Sequence, residues 1–456
     1  MPREQHTAMA SPATLADPLS PRAGAHGATA ANSTEEAQLA PGDIAVGVVV
    51  GRASEYFDFF VYGIASVLVF PAMFFPFVDR LHGLLWSFTV FALAFVVRPL
   101  GTQLGMVLQR HFGRGVKLIV ALFLLGSSTV AIALLPSYAS MGAGAIWLLA
   151  LARTGQGLAL GASWDGLPSL LAMNAPEHRR GWYAMLGQLG APLGFVVACG
   201  VFAYVHANAS EADFLAWGWR FPFFAAFAIN VVALFARLRL VVTREYERGL
   251  DAAELEPSRL RELFAVHGRD VVIGAFAALA SYALFHLVTI FPLSWVVLSD
   301  PASVGHTLHV ELLGAVFCSI AIPVSGLIAD RIGRRRTLGR LALAIAAFSA
   351  VSPWLLDGDA GRTVFIVLGF TLLGLSYGQS AGAVTSNFAP RFRYTGAALT
   401  SDLAWLLGAA FAPLVALGLS NRFGLAALAL YLLSGAVCTL LALRTNRRLG
   451  GSKAVG

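Results

Sequence analysis

From about residue 43 the chain alternates between long apolar runs and short polar breaks. The apolar runs fall at about 43–70, 84–108, 117–135, 143–172, 182–206, 219–241, 271–298, 307–329, 337–356, 363–386, 396–419 and 424–443. Each approaches or exceeds the roughly 20 residues that cross a hydrocarbon core about 30 Å thick. The pattern predicts an all-α membrane protein with twelve transmembrane helices.

The polar breaks are informative too. Residues 1–42 are rich in Ala, Pro, Ser, Thr and Gly with scattered charge, and they read as a disordered cytoplasmic tail. No apolar core of a signal peptide lies near the start. The longest internal break, 242–270, sits at the midpoint and contains an amphipathic stretch from Pro257 to His267 that is expected to lie along the membrane surface. The expected organisation is a tail (1–42), a first six-helix bundle (43–241), a cytoplasmic central loop (242–270), a second six-helix bundle (271–443) and a cytoplasmic C-terminal tail (444–456). Two pseudo-symmetric bundles of this kind are how repeat-built transporters enclose a path between them.

Composition supports the same solvent assignment. Hydrophobic residues make up 57% of the 456 and charged residues 12%, against roughly 25% charged in a soluble domain. Lys and Arg gather in alternate breaks, at Arg110 to Lys117, Arg179 and Arg180, Arg237 to Arg269, Arg331 to Arg340, Arg391 and Arg393, and Arg444 to Lys453. The other breaks hold Arg80, Arg362 and Arg422. Short loops with that bias face the cytoplasm, so both termini are placed inside, in a bacterial inner membrane. The net charge of +7 is thereby accounted for without a nucleic-acid partner.

Enzyme chemistry finds no support. Cys199, Cys318 and Cys438 lie far apart inside apolar runs and read as small buried hydrophobes. The histidines lack metal-ligand spacing, no phosphate-binding Gly-Lys-Ser/Thr occurs, and no nucleophile stands by a matching base. No cofactor or metal is expected, so energy must come from an ion gradient or from the solute itself.

The most specific motif is "GLIADRIGRRRTL", Gly326 to Leu338, at the inner end of the eighth run. Gly326 permits close helix approach, Asp330 sits near a helix end, Gly333 allows a tight turn, and Arg334 to Arg336 are expected to stay at the cytoplasmic surface. The equivalent place in the first half reads "GMVLQRHFGRGVKL", where Gly113 and Arg114 fit but Arg110 and His111 replace the Asp and Arg. Further along stand "EYFDFFVYG", "RPLG", "RTGQGLALGASWDG" and "PEHRRGWYAMLGQLGAPLG".

From about 45 to 443 the chain resembles the major facilitator superfamily, and these stretches are similar to its metabolite:proton symporter branch, which includes shikimate, carboxylate and osmolyte carriers. The resemblance implies a gating role for Gly326, Asp330, Arg331, Gly333, Arg334, Arg335, Gly113 and Arg114. The degraded first-half copy implies that an inner gate cannot work identically there. Where the branch has Gly-Gly-Glu, this chain has Gly161-Ala162-Ser163, with an acid two residues on at Asp165. Two residues turn a helix by about 200°, so the branch role does not simply pass to Asp165.

Ionisable groups inside the spans supply the candidate chemistry. Glu55, Asp58 and Tyr62 share one helix face, and an ionised acid at lipid depth costs about 2.5–3.5 kcal/mol. They must face a cavity or a cation, and Arg98 and Arg153 are the candidate cations. Asp58 with one of these arginines is either a proton-coupling pair or a permanent packing bridge; Glu55 either couples protons or is interfacial. Asp402 in "LTSDLAWLLG" serves substrate, proton or gate, and Glu311 reads as structural, close to the outer surface. Gln188, Tyr282, His286, Tyr377, Gln379 and Trp405 join Arg98, Arg153 and Tyr62 as candidates to line a solute pocket.

The expected function is proton-coupled uptake of a small organic solute, best a mono- or dicarboxylate, by alternating access in a monomer surrounded by lipid. A zwitterionic osmolyte such as betaine or proline is the alternative. The short segment after the last span, "RTNRRLGGSKAVG", argues against the osmosensing version with a long C-terminal extension. A membrane receptor that has lost transport is the third reading.

Overall fold

The computed structural model describes residues 41–164, 166, 175–241, 256–381 and 388–445. Residues 1–40, most of the central loop, Asp165 and residues 446–456 lie outside the described residues.

Among the described residues, ten helices are long and apolar enough to cross a membrane. One of them, Arg80–Ala133, has 54 residues and at 1.5 Å per residue would extend about 81 Å, so it must cross twice. It turns at Gly113, whose φ of 80° and ψ of 174° are open to glycine at little cost. With Pro41–Leu68 the spans number twelve.

We label them in chain order. The first half comprises α1 (Pro41–Leu68), α2 (80–112), α3 (114–133), α4 (Ala143–Ala162), α5 (Arg180–Asn208) and α6 (Arg220–Val241). The second comprises α7 (Leu260–Ser299), α8 (Val304–Ile332), α9 (Arg334–Leu355), α10 (Asp359–Tyr377), α11 (Pro390–Phe423) and α12 (Ala426–Thr445).

The halves repeat one another in detail. Pro99 lies inside α2 and Pro323 inside α8; Gly113 links α2 to α3, and Gly333, φ 85°, links α8 to α9. The first helix of each half breaks, α1 at Val69 and α7 at Ala278 and Ile290. So does the fifth, α5 between Leu186 and Gly190 and α11 between Gly408 and Ala412. Interrupted helices free backbone groups, which are tolerated inside a membrane only where they border protein or a cavity. Across the join, α5 packs along α8 and α11 along α2.

Burial is inverted relative to a soluble protein. Phe123, Trp147 and Trp354 are 73–76% exposed and face lipid, whereas Glu55, Asp58, Lys117, Arg153, Glu311 and Asp402 are buried.

Two expectations change. The polar break between the second and third runs contains no extended loop: α2 and α3 are helical right up to Gly113, the single residue that leaves helical geometry. The stretch from Pro257 to His267 does not lie along a membrane surface: from Leu260 it begins α7, and Leu263 packs with Phe388, Phe392 and Leu399 of the α11 side. Its apolar face was meant for a helix partner.

Candidate functional site

The site is set by a close crossing of α2 and α4. Gly101 and Gly105 on α2 meet Gly157 and Gly161 on α4, so closely that a Cβ at Gly161 would stand 2.1 Å from the Arg98 carbonyl oxygen. Small residues one turn apart let the two backbones touch. Arg98 and Arg153 are thereby carried on two helices locked together.

Around them are three polar layers. In the first, the α1 face anticipated from spacing looks at α4. Glu55 accepts from Ser163 Oγ at 2.9 Å and pairs with Arg52 at 2.9 Å. Asp58 accepts from Thr129 Oγ1 at 2.5 Å and from Gln156 Nε2 at 3.3 Å, while Asn230 on α6 faces it without hydrogen-bond geometry. Tyr62 lies over Arg153, its ring centroid 3.9 Å from the guanidinium carbon.

The expected Asp58–arginine bridge is therefore absent. Arg153 is fully buried and donates to the Phe91 carbonyl at 3.2 Å and to Gln156 Oε1 at 3.0 Å; its Nη2 has no partner. Gln156 mediates between acid and base, one end on each. Phe59 and Phe91 complete the guanidinium's aromatic bed at 5.8 and 4.8 Å.

The second layer joins the two halves. Arg98 Nε on α2 is 2.9 Å from Asp402 Oδ1 on α11, and Thr102 Oγ1 donates to Asp402 Oδ2 at 2.5 Å. The arginine N–H is not aimed at the carboxylate, so the pair is held by charge rather than by a directed bond. The guanidinium carbon lies 5.8 Å from the Trp405 ring centroid.

The same layer is packed with rings. Tyr56 and Tyr377 share a hydrogen bond between their hydroxyls, across the halves. Phe60 stacks on Phe285 at 5.6 Å, Trp405 meets Tyr282 and Phe285 at 5.0 Å each, and His286 lies over Phe59 at 5.5 Å. The Tyr282 hydroxyl faces Ser380 and Ser401, and Gln188 donates to Ser380 Oγ at 3.1 Å. This is a closed conformer, with rings where a path would run.

The third layer latches one end, the end rich in Arg. Both oxygens of Asp330 accept backbone amides that open α5, from Gly181 at 2.6 Å and Trp182 at 3.1 Å, as favours a carboxylate at a helix N-terminus. Gln379, expected in the solute pocket, belongs here instead: it reaches Gly181 O, Ser325 Oγ and Arg334 Nε. Arg335 donates to the Leu443 carbonyl, Arg331 is exposed and Arg114 is buried. On the opposite flank Lys117 donates to Gln109, Tyr394 Oη and the Trp164 carbonyl at 2.6–2.9 Å. Asp165, a candidate here, lies outside the described residues.

At the distal end a cavity of about 460 Å³ opens between the halves, lined by Asp79, Arg80, His206, Glu211, Val297 and Val304 among others. The His82 ring hydrogen-bonds to Asp79 and holds that carboxyl below the usual carboxylate range. Below the cavity Glu311, expected as a structural residue near the outer end of its span, is fully buried, with Cys199 of α5 and Leu293 of α7 beside it.

Thr102, Thr129, Lys117, Tyr56 and Tyr394 were missed by sequence reasoning. A hydroxyl inside a span, or a lysine at its end, is a weak signal until its partner from another helix is known.

Comparison with known proteins agrees with this architecture. The sequence profile of the Major Facilitator Superfamily matches residues 56–413. The chain is 36% identical to the inner membrane metabolite transport protein YhjE of Escherichia coli, over 91% of this chain and 97% of that protein. It is 28% identical to the shikimate transporter of Escherichia coli, over 86% of this chain and 91% of the relative. The proline/betaine transporter of Escherichia coli is also 28% identical, over 86% and 80% respectively. A crystal structure of a D-xylose–proton symporter superposes with a TM-score of 0.67 at 17% identity, over 89% of this chain and 98% of that one.

Proposed function

The chain belongs to the major facilitator superfamily, and on that premise we propose that it is a proton-coupled carrier taking up a small organic solute that bears a carboxylate. The two bundles rock about the aromatic midplane. The Arg-rich end faces the cytoplasm, with both termini on that side of a bacterial inner membrane. One chain forms the whole path.

The observation that carries this reading is the Arg98–Asp402 pair, one partner from each half, beside Trp405. A proton added to Asp402 discharges the pair and leaves the Arg98 guanidinium to a solute carboxylate. The solute's charge then replaces that of Asp402, and the halves are free to separate at their other face. Loss of the proton restores the pair and ejects the solute. Tyr56, Tyr282, His286, Tyr377, Trp405 and Gln188 line the space the solute enters. Asp58, with Glu55 beside it, is a second proton site within the first half, its charge felt by Arg153 through Gln156. Tyr62 and Phe91 hold Arg153 in place.

Relatives support the solute class: shikimate, proline and betaine, the solutes after which similar transporters are named, share a carboxylate. A zwitterion is the second reading, favoured by the ring of Tyr56, Tyr282, Phe285, Tyr377 and Trp405, whose faces suit a quaternary ammonium.

The test is uptake into proteoliposomes under an imposed pH gradient, with labelled shikimate, succinate, proline and glycine betaine. Accumulation of a carboxylate that collapses with a protonophore is expected. Thermal stabilisation by one of the four without movement of any would instead indicate a receptor.

A further inference from the structure

Glu311 plays no part in the mechanism above, yet it is the most isolated acid among the described residues. It is 0% exposed, and neither carboxyl oxygen has a hydrogen-bond partner. The Leu293 amide faces it from the first turn after the break at Ile290, short of hydrogen-bond geometry. Cys199 approaches from α5, but its thiol donates to the Leu308 carbonyl at 3.2 Å.

The helices that enclose Glu311 are also the ones that line the distal cavity. Val304 is two turns outward of Glu311 on α8, His206 two turns outward of Cys199 on α5, and Val297 one turn outward of Leu293 on α7; all three border the 460 Å³ space. At 1.5 Å per residue, seven residues is about 10 Å. The carboxyl therefore lies about 6–10 Å beneath the residues that border the cavity, on the seam between the halves.

We propose that Glu311 is a proton-binding site loaded from the distal cavity and distinct from Asp58 and Asp402. This rests on the carrier reading, since a site facing one side acts only if the bundles open that side. In the closed conformer an ionised carboxylate would be unpaired in an apolar seam, a costly arrangement, so the acid is carried there in neutral form. When α5 parts from α7 and α8 at the distal end, the carboxyl meets water and exchanges its proton.

Its surroundings add little competing charge. From α5 come Cys199 and, two turns out, His206; the stretch of α7 after Ile290 presents no ionisable side chain before Asp300. From α10, Ile366 and Phe370 pack on Gly314 one turn below, while Asp359 and Arg362 stand at its distal start and Tyr377 at its far end. On α8 itself His306 and His309 are exposed.

The probe is dicyclohexylcarbodiimide, which modifies carboxyls in their neutral form in apolar surroundings. The full-length protein is labelled in sealed right-side-out vesicles with the pH of each side set separately, and the adduct on Glu311 is read by mass spectrometry. Labelling should follow the outer pH, falling about tenfold per unit beyond its midpoint. Glu311→Asp should retain the adduct and Glu311→Gln lose it, leaving that at Asp58 unchanged. Equal labelling at every pH would make Glu311 a permanently neutral packing residue. Labelling that follows the inner pH, or that spares Glu311 while marking Asp58 or Asp402, would equally overturn the proposal and leave the carrier reading standing. Failure of that reading shows separately, as absent solute uptake.

Discussion

Arg98 and Asp402 stand 2.9 Å apart although 304 positions separate them, one on a helix of each half. Removing either partner strands a buried charge and is expected to cost about 3–5 kcal/mol. The double variant Arg98→Gln/Asp402→Asn should lose less than the sum of the single losses, by about 1–3 kcal/mol. Thermal unfolding in detergent measures the cycle, and strict additivity would mean that the charges do not interact.

The same pair predicts a transport phenotype. Asp402→Asn leaves Arg98 permanently available, so solute exchange should persist while accumulation driven by a pH gradient falls at least about tenfold. Counterflow and gradient-driven uptake in the same proteoliposomes separate the two. Equal loss of both would assign Asp402 to binding or folding instead.

Gln156 is the link between Asp58 and Arg153, so Gln156→Leu should take one hydrogen bond from each and cost about 1–3 kcal/mol. Asp58→Asn keeps a hydrogen-bonding side chain and should be milder in stability, yet abolish proton-driven accumulation. Melting temperatures beside uptake assays test the contrast. An Asp58→Asn protein that still drives uphill uptake would remove Asp58 from the coupling scheme.

At the latch, a Cβ on Gly181 would meet Asp330 Oδ1 and the Gly326 carbonyl at 2.8 Å each. Gly181→Ala should therefore hold the Arg-rich end ajar. Ser380 is buried in the closed conformer, and Ser380→Cys offers a reporter. Alkylation by a maleimide applied from the Arg-rich side should be several-fold faster with Gly181→Ala than without it. An unchanged rate would show that the latch tolerates the methyl group.

Gly161→Ala tests the crossing that carries both arginines. Its methyl would press on the backbone of Arg98 and Thr102, with a cost of about 1–3 kcal/mol for overpacking. A matching loss of solute affinity, read by thermal shift with the transported compound, is expected because Arg98 moves with its backbone.

Much of the architecture was legible in the chain because lipid imposes it locally. Span length, the bias of Arg and Lys among breaks, and the Gly326 to Leu338 motif each act over 30 residues or fewer. The shared face of Glu55, Asp58 and Tyr62 was legible for the same reason, since helical period fixes it. Partner choice was not. Nothing near Asp402 indicates Arg98, and nothing near Asp58 indicates Thr129 or Gln156, because those contacts depend on how separate helices lean together. Asp58 thus drew the natural but mistaken assignment of an arginine. Gln379 was misplaced through its neighbour Tyr377: two residues on, where α10 ends, the chain has left the midplane for the latch. Glu311 looked superficial by counting from the end of its run, and its burial depends on Leu293 and Cys199 approaching from α7 and α5.

The elbows at Gly113 and Gly333 hold φ of 80° and 85°, values that a side chain would resist. Each welds two neighbouring membrane rods at a set angle, so neither rod slides without dragging the other. Under the carrier reading proposed above, each welded pair moves as one lever arm and carries a proton's worth of work from the centre toward a face of the bilayer.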